Sequence, residues 1–162
     1  MTADETRTHL RYHGWASQRL LDAAAGLSPD QLYREMTVSH SGLIRTLEHI
    51  FFADRIWFKR VVDPDLEVQR SGDQPHQSLP VEWPQIQKRW EDWAASLTDA
   101  DLNRVVSYKL LSGDPGQSPL WHIMLHLVNH GTYHRGQAAA MLKQLGAPLP
   151  PTDMIVFYRT TG

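Results

Sequence analysis

The stretch His130-Gly-Thr-Tyr-His134-Arg-Gly-Gln137 decides how the rest of the chain is read. Its two imidazoles stand one helical turn apart, so on a helix they project from one face and can grip one metal ion. The surrounding residues supply the helix. Ile123, Leu127, His130, His134, Ala138, Met141 and Leu145 recur at spacings of three and four, the stripe that a helix turns toward a core. The histidines are therefore in line with the apolar stripe. Buried imidazoles must be satisfied. Spacing alone leaves two solutions open: hydrogen bonds to the backbone or to each other, or a divalent metal with a third ligand from another helix.

Working outward, this last helix runs from about Pro119 to Leu145, with Gly146 as its C-terminal cap and prolines beyond. A first helix is predicted from about Asp4 to Ala25, with Leu10, Gly14, Ser17, Leu21 and Ala24 on one face. A second opens after Ser39-His-Ser41, a plausible N-cap, carries Leu43, Leu47, Ile50, Asp54, Trp57 and Val61 at core spacing, and stops at Asp63-Pro64. Residues 63 to 80 read as a long surface crossing. A third helix follows from about Val81 to Leu97, turning Trp83, Ile86, Trp90, Trp93 and Leu97 inward. Val105-Val-Ser-Tyr-Lys-Leu-Leu111 before Ser112-Gly-Asp-Pro-Gly116 signals a short hairpin or an extended crossing. Four helices with one longer crossing, between the second and third, make an all-α four-helix bundle. The 162 residues suffice for one domain, 1–162, with a single sizeable core.

Composition narrows the partners. The 16 basic and 18 acidic residues give a net charge of -2, which carries no footprint for nucleic acid or an acidic membrane surface. No apolar run reaches the roughly 18 residues of a membrane span, and Met1-Thr-Ala-Asp-Glu5 lacks the regions of a secretory signal. The expectation is a cytoplasmic protein with no nucleic-acid or membrane partner. There is no cysteine, hence no disulfide, thiol nucleophile or thiolate ligand. A metal site must use nitrogen and oxygen.

A third ligand has one natural source. Glu48 and His49 lie within Thr46-Leu-Glu-His-Ile-Phe-Phe-Ala53 of the second helix. His49 adjoins the apolar face and can point inward; Glu48 is more easily read as solvated. Three imidazoles would leave one position open, the arrangement of a reactive divalent metal. His126 continues the four-residue series, but each such step rotates the side chain by about 40°, so 126, 130 and 134 cannot all address one ion equally. His126 is read as a neighbour of the site or a fourth ligand, His122 as surface, His9 and His13 as a solvated pair, and His40 as a cap-region residue, with lining of the pocket mouth as its lesser alternative. Asn129 and Tyr133 are candidates to receive the second N–H of a ligating ring. Arg135 and Gln137 flank the site, Arg135 either orienting an anionic substrate or anchoring the helix. Two other chemistries fail: a His-Glu-x-x-His protease helix would need glutamate where Gly131 stands, and a di-iron bundle needs Glu-x-x-His on two helices.

These residues resemble the DinB/YfiT-like family over nearly the whole length. Tyr12-His-Gly-Trp-Ala16 with Arg19-Leu-Leu21 is similar to that family's first helix. Leu47-Glu-His-Ile50 with Trp57 resembles its second. His126-Leu-Val-Asn-His130 and Tyr133-His-Arg-Gly-Gln137 resemble its most recognisable motif. Asp153 and Phe157-Tyr158 also sit where such proteins carry them.

The resemblance implies a left-handed up-down-down-up bundle, commonly a homodimer, whose metal ligands are His49, His130 and His134 and whose ion is nickel, zinc or another divalent metal. Relatives include thiol-dependent transferases and isomerases, and metal-dependent hydrolases. The expected function is therefore that of a metal-dependent enzyme activating a small thiol or water for transfer to, or hydrolysis of, a small-molecule electrophile. The alternative is a non-catalytic metal-binding stress protein in which the ion stabilises a dimeric bundle. No catalytic side chain is singled out. His126, Asn129, Tyr133 and Arg135 are the expected residues around the ligands.

Overall fold

The computed structural model describes residues 1–37, 40–70 and 78–161. Thr2 opens α1 (Ala3–Ala25) with a capping box. Its hydroxyl accepts the Glu5 N–H at 3.1 Å while the Glu5 carboxylate accepts the Thr2 N–H at 2.7 Å, satisfying two donors that the first turn leaves over. A one-turn α2 (Pro29–Leu32) follows, then α3 (Leu43–Val61), α4 (Leu79–Ala94), a 3-10 turn at Asp101–Asn103, strands β1 (Val105–Lys109) and β2 (Pro115–Pro119), α5 (Leu120–Gln144) and α6 (Met154–Thr161). The four long helices fall where the apolar stripes predict them. The hairpin is real: β1 and β2 pair antiparallel, Val105 opposite Pro119 and Lys109 opposite Pro115. At the far end of α5, Gly146 takes a positive φ of 78°, and the Ala147 N–H reaches back to the Leu142 carbonyl at 3.0 Å, the bond that closes a Schellman cap.

Side-chain pairs give the helix directions. Arg7, early in α1, donates to the carbonyls of Ala94, the last residue of α4, and Leu97 just beyond it, so these two helices run antiparallel. In α3 and α5, His49 meets His130 while Trp57 meets His126, again antiparallel. Phe51 packs on Trp83 and Phe58 on Trp90, making α3 and α4 parallel, and Ser17 and His13 lie by Arg135 and Gly131, making α1 and α5 parallel. The result is up-down-down-up. The core within it holds Leu20, Leu47, Ile50, Phe51, Trp83, Trp90, Leu120 and Ile123, all essentially inaccessible to solvent. Tyr12, Ala16, Val128 and Phe157 form a second small cluster where α6 covers the seam between α1 and α5.

A polar thread crosses this core and touches all four long helices. Arg135 of α5 donates to His13 Nδ1 at 2.9 Å, and His13 Nε2–H donates to Asp54 Oδ1 of α3 at 2.9 Å. Asp54 also accepts from the Trp83 indole of α4 at 2.7 Å, and its backbone carbonyl accepts from Trp90. Arg135 further reaches Ser17 and Thr132 and lies over the Tyr12 ring. Each buried polar group thus has a partner, without which burial would be costly. His13 is correspondingly not half of a solvated pair. It is 2% exposed, because it stands three residues after Leu10 and four before Ser17 on the buried face. His9 alone stays near the surface and bonds the Glu5 carbonyl.

Two other expectations change. Gly42, not a serine, takes the N-cap position of α3 with no side-chain bond, and Ser39 lies outside the described residues. Glu48 is buried at 3% exposure rather than solvated. Of the long crossing, residues 71–77 lie outside the described residues; the part before them is tied down by Lys59 on the Leu66 carbonyl, Arg55 on the Glu67 carbonyl and Arg89 on Asp63.

Candidate metal centre

The antiparallel pairing of α3 and α5 sets His49 opposite the His130–His134 turn. His49 Nε2 and His130 Nε2 face each other at 3.0 Å. The ring centres of His49 and His134 are 4.5 Å apart, as are those of His130 and His134. Gly131 is what allows α5 to come so close to α1 behind this turn. A Cβ there would stand 2.3 Å from His13 Cε1, 2.6 Å from His13 Nδ1 and 2.7 Å from an Arg135 nitrogen. The residue whose identity rules out a protease motif is thus one that packing requires.

Burial and mutual repulsion hold the His49 and His130 rings below the ordinary imidazole range. Burial first, then the neighbouring His40 and His134, lower the His49 pKa to about 4. Burial, then His134 and His49, lower that of His130 to about 3. Neutral imidazole is the form that binds metal. His134 Nδ1–H donates to Gln137 Oε1 at 2.9 Å, a bond that fixes the tautomer and leaves the Nε2 lone pair for a ligand. Gln137, which the sequence marks only as flanking, therefore takes the part expected of Asn129 or Tyr133.

The arrangement fits a divalent cation. Metal–nitrogen bonds of about 2.0–2.1 Å bring two ligand atoms to roughly 3.0–3.4 Å of each other, which the His49–His130 pair meets. Two neutral nitrogens that close can share one proton at most. The other nitrogen of His130, Nδ1, is buried with no hydrogen-bond partner among the described residues. Among the described residues the hydrogen-bond partner of His130 is thus His49, through Nε2, and an ion on Nε2 would leave Nδ1 as it is.

Sequence reasoning gave His40 a place at the cap or the pocket mouth, not among the candidate ligands. Its ring stacks on that of His49 with centres 4.0 Å apart and lies 5.1 Å from that of His134. One ring nitrogen from each of His40, His49 and His134 falls within 4.8 Å of the other two. Among the described residues, the nitrogens placed to share one ion are thus those of His40, His49 and His134, while His130 adjoins the group through its contact with His49. No periodicity reports a loop residue such as His40; only its place nine positions before His49 hints at proximity.

The remaining expected residues sit around the site at different depths. His126 is turned toward Trp57, 5.5 Å between ring centres, and stands 5.6 Å from the His130 ring; burial and then Arg60 lower its pKa. With Asn129, Tyr133 and Trp121 it lines a groove of about 600 Å³ that ends on His130. Tyr133 is exposed, its ring 4.9 Å from that of His134. Arg135 is 2% exposed and points away, into the polar thread, so its anchoring role is the one the geometry serves.

An up-down-down-up bundle that brings imidazoles of α3 and α5 together in a set able to hold a metal ion is the class of protein these elements define. A family model described as DinB family matches residues 1–161, and the chain belongs to that family. It is 26% identical over 155 residues to Protein DinB of Bacillus subtilis (strain 168), covering 88% of this chain and 87% of that one. In structure it resembles a DinB-like protein from Bacillus cereus ATCC 10987, with a TM-score of 0.74 at 21% identity, covering 93% of this chain and 97% of the other. No helix among the described residues is long and apolar enough to cross a membrane.

Proposed function

We propose that this protein binds one divalent ion, nickel or zinc, through His49, His130 and His134, and uses it to activate a small thiol or a water against a small electrophile. The observation carrying this reading is the convergence of imidazole rings from two helices, with the His49 and His130 nitrogens 3.0 Å apart and His130 also lining a surface groove. When bound, such an ion lowers the pKa of a coordinated thiol or water so that either serves as a nucleophile near neutral pH. The chain's own residues do the rest. Gln137 holds the His134 tautomer, and Trp121, Asn129, His126 and Tyr133 offer an aromatic wall with hydrogen-bonding tips to a small substrate. Because the sequence has no cysteine, a reacting thiol would arrive as a cosubstrate. The working unit under this reading is a single domain that forms a homodimer in the cytoplasm.

Elemental analysis of untagged protein tests the reading. Wild type should hold about one ion per chain, and His49→Ala, His130→Ala and His134→Ala should each lose it, together with turnover of thiol-transfer or hydrolysis substrates. Full metal content in all three variants would refute it. The second reading, an ion that only stabilises the bundle, draws on the fourth imidazole, since four protein ligands close a site. It predicts a large fall in melting temperature on chelation and no turnover.

A further inference from the structure

Of the four neighbouring imidazoles, His40 is held unlike the others. His49, His130 and His134 ride on helices, and His134 is buried and braced by Gln137. His40 lies in the loop before α3, is partly exposed, and makes no hydrogen bond through its ring among the described residues. Beside it, Ser41 adopts φ +58°, the left-handed region that non-glycine residues avoid, and Gly42 adopts φ +151°. A Cβ at Gly42 would stand 2.7 Å from the Arg34 carbonyl oxygen, and the Ser41 carbonyl accepts the Met36 N–H at 3.1 Å. Ser41 and Gly42 thus form a strained turn beside an imidazole laid over His49. Strain of this kind persists where surrounding structure imposes it, and it gathers at functional sites.

The distances allow coordination. The ring nitrogens of His40, His49 and His134 lie within 4.8 Å of one another, against roughly 3.3 Å for ligands of one tetrahedral ion. Rotation of a loop side chain closes that gap without moving a helix. A pure stacking role would not require a nitrogen there at all.

We propose that His40 is a fourth, displaceable ligand of the centre, occupying at rest the position that an incoming thiol, water or anion must take. This rests on the metal-binding reading above and deepens it. The site is closed while the loop imidazole is on and open when it swings off, so access is set by a competition between His40 and the incoming group. A group that must displace a ligand present nine-tenths of the time binds about tenfold more weakly than to the open site.

The test uses the full chain loaded with cobalt(II), whose visible band position and shape report the ligand set, and azide as the incoming anion. Wild type should bind azide weakly. His40→Ala and His40→Phe should both shift the band, as water replaces the imidazole in a site that stays four-coordinate, and bind azide about tenfold or more tightly, and free imidazole should restore the wild-type band in His40→Ala. Melting curves of the metal-free variants, matching wild type, show that the fold is intact. The phenylalanine keeps a ring over His49 but no nitrogen. If His40→Phe retains the wild-type band and azide affinity, His40 is a stacking group and the inference is overturned. Unchanged spectra in both variants overturn it equally, while leaving the three-histidine site standing. Failure of wild type to bind cobalt removes the metal-binding reading itself, and this inference with it.

Discussion

Replacing Gly131 with alanine tests the packing that sets α5 against α1. On an exposed helix this change is favourable by about 1 kcal/mol, because glycine is a poor helix former. Here the new methyl would meet His13 Cε1 at 2.3 Å, His13 Nδ1 at 2.6 Å and an Arg135 nitrogen at 2.7 Å. Both partners are buried in the polar thread, so neither can step aside into solvent. Overpacking a core costs roughly 1–3 kcal/mol. Displacing His13 also breaks its bond to Asp54, at about 1–3 kcal/mol for the buried partner left short. Setting the propensity gain against these costs leaves a net loss of about 1–5 kcal/mol, from a total stability that for a domain is on the order of 5–15 kcal/mol. At roughly 2–4 °C per kcal/mol for a chain of this size, Gly131→Ala should melt about 2–20 °C lower. Urea denaturation and thermal melts of the metal-free protein measure this directly. The sign should reverse when the obstacle is removed: on a His13→Ala background the same substitution should be neutral or stabilising. Equal or greater stability for the single variant, or the same loss on both backgrounds, would refute the reasoning.

Gln137→Leu should leave the bundle folded but weaken metal binding about 10- to 100-fold, the usual effect of removing the partner that orients a ligating imidazole; an unchanged dissociation constant in a competition titration would contradict the tautomer assignment. The metal-free protein should lose stability as pH falls. His49 and His130 have folded pKa values of about 4 and about 3, against an ordinary 6.5. The unfolded chain therefore binds more protons between those values, and stability is full above about pH 6.5 and declines progressively below it. Melting temperatures from pH 7.5 to 5 should fall more steeply for wild type than for the His49→Ala, His130→Ala double variant; parallel curves would show that these rings do not carry the effect.

How much of this was legible in the sequence depended on whether a residue belonged to a period. The stripes of α1, α3, α4 and α5 placed the bundle, and the turn from His130 to His134 placed half of the candidate site. His49 needed the family resemblance, because one imidazole beside an apolar face has no spacing partner of its own. His13 was readable in principle from Leu10 and Ser17, yet histidine's polarity argued it outward. What decided its position was a buried acceptor 41 residues away, and no local pattern carries that. Glu48 was misplaced on the same grounds. As a ligand, His40 was illegible for a different reason: it lies in a loop beside a strained turn at Ser41 and Gly42, and neither residue type announces a left-handed turn beside a cluster of rings. The helix α6 lay in the stretch marked only by its aromatic pair, where Phe157 finds Tyr12 and Val128 across the chain.

The two sides of α5 answer to different constraints. The inner side holds Gly131 and Arg135, each fixed by several partners on other helices, so α5 cannot slide or turn against α1 without breaking buried hydrogen bonds. The outer side presents Leu125, Asn129 and Tyr133 to solvent along the groove, where a substitution typically shifts stability by no more than about 0.5 kcal/mol. One helix thereby separates what must be conserved from what is free to drift. The groove wall can change its chemistry over successive mutations, while the histidine turn keeps the same height and heading.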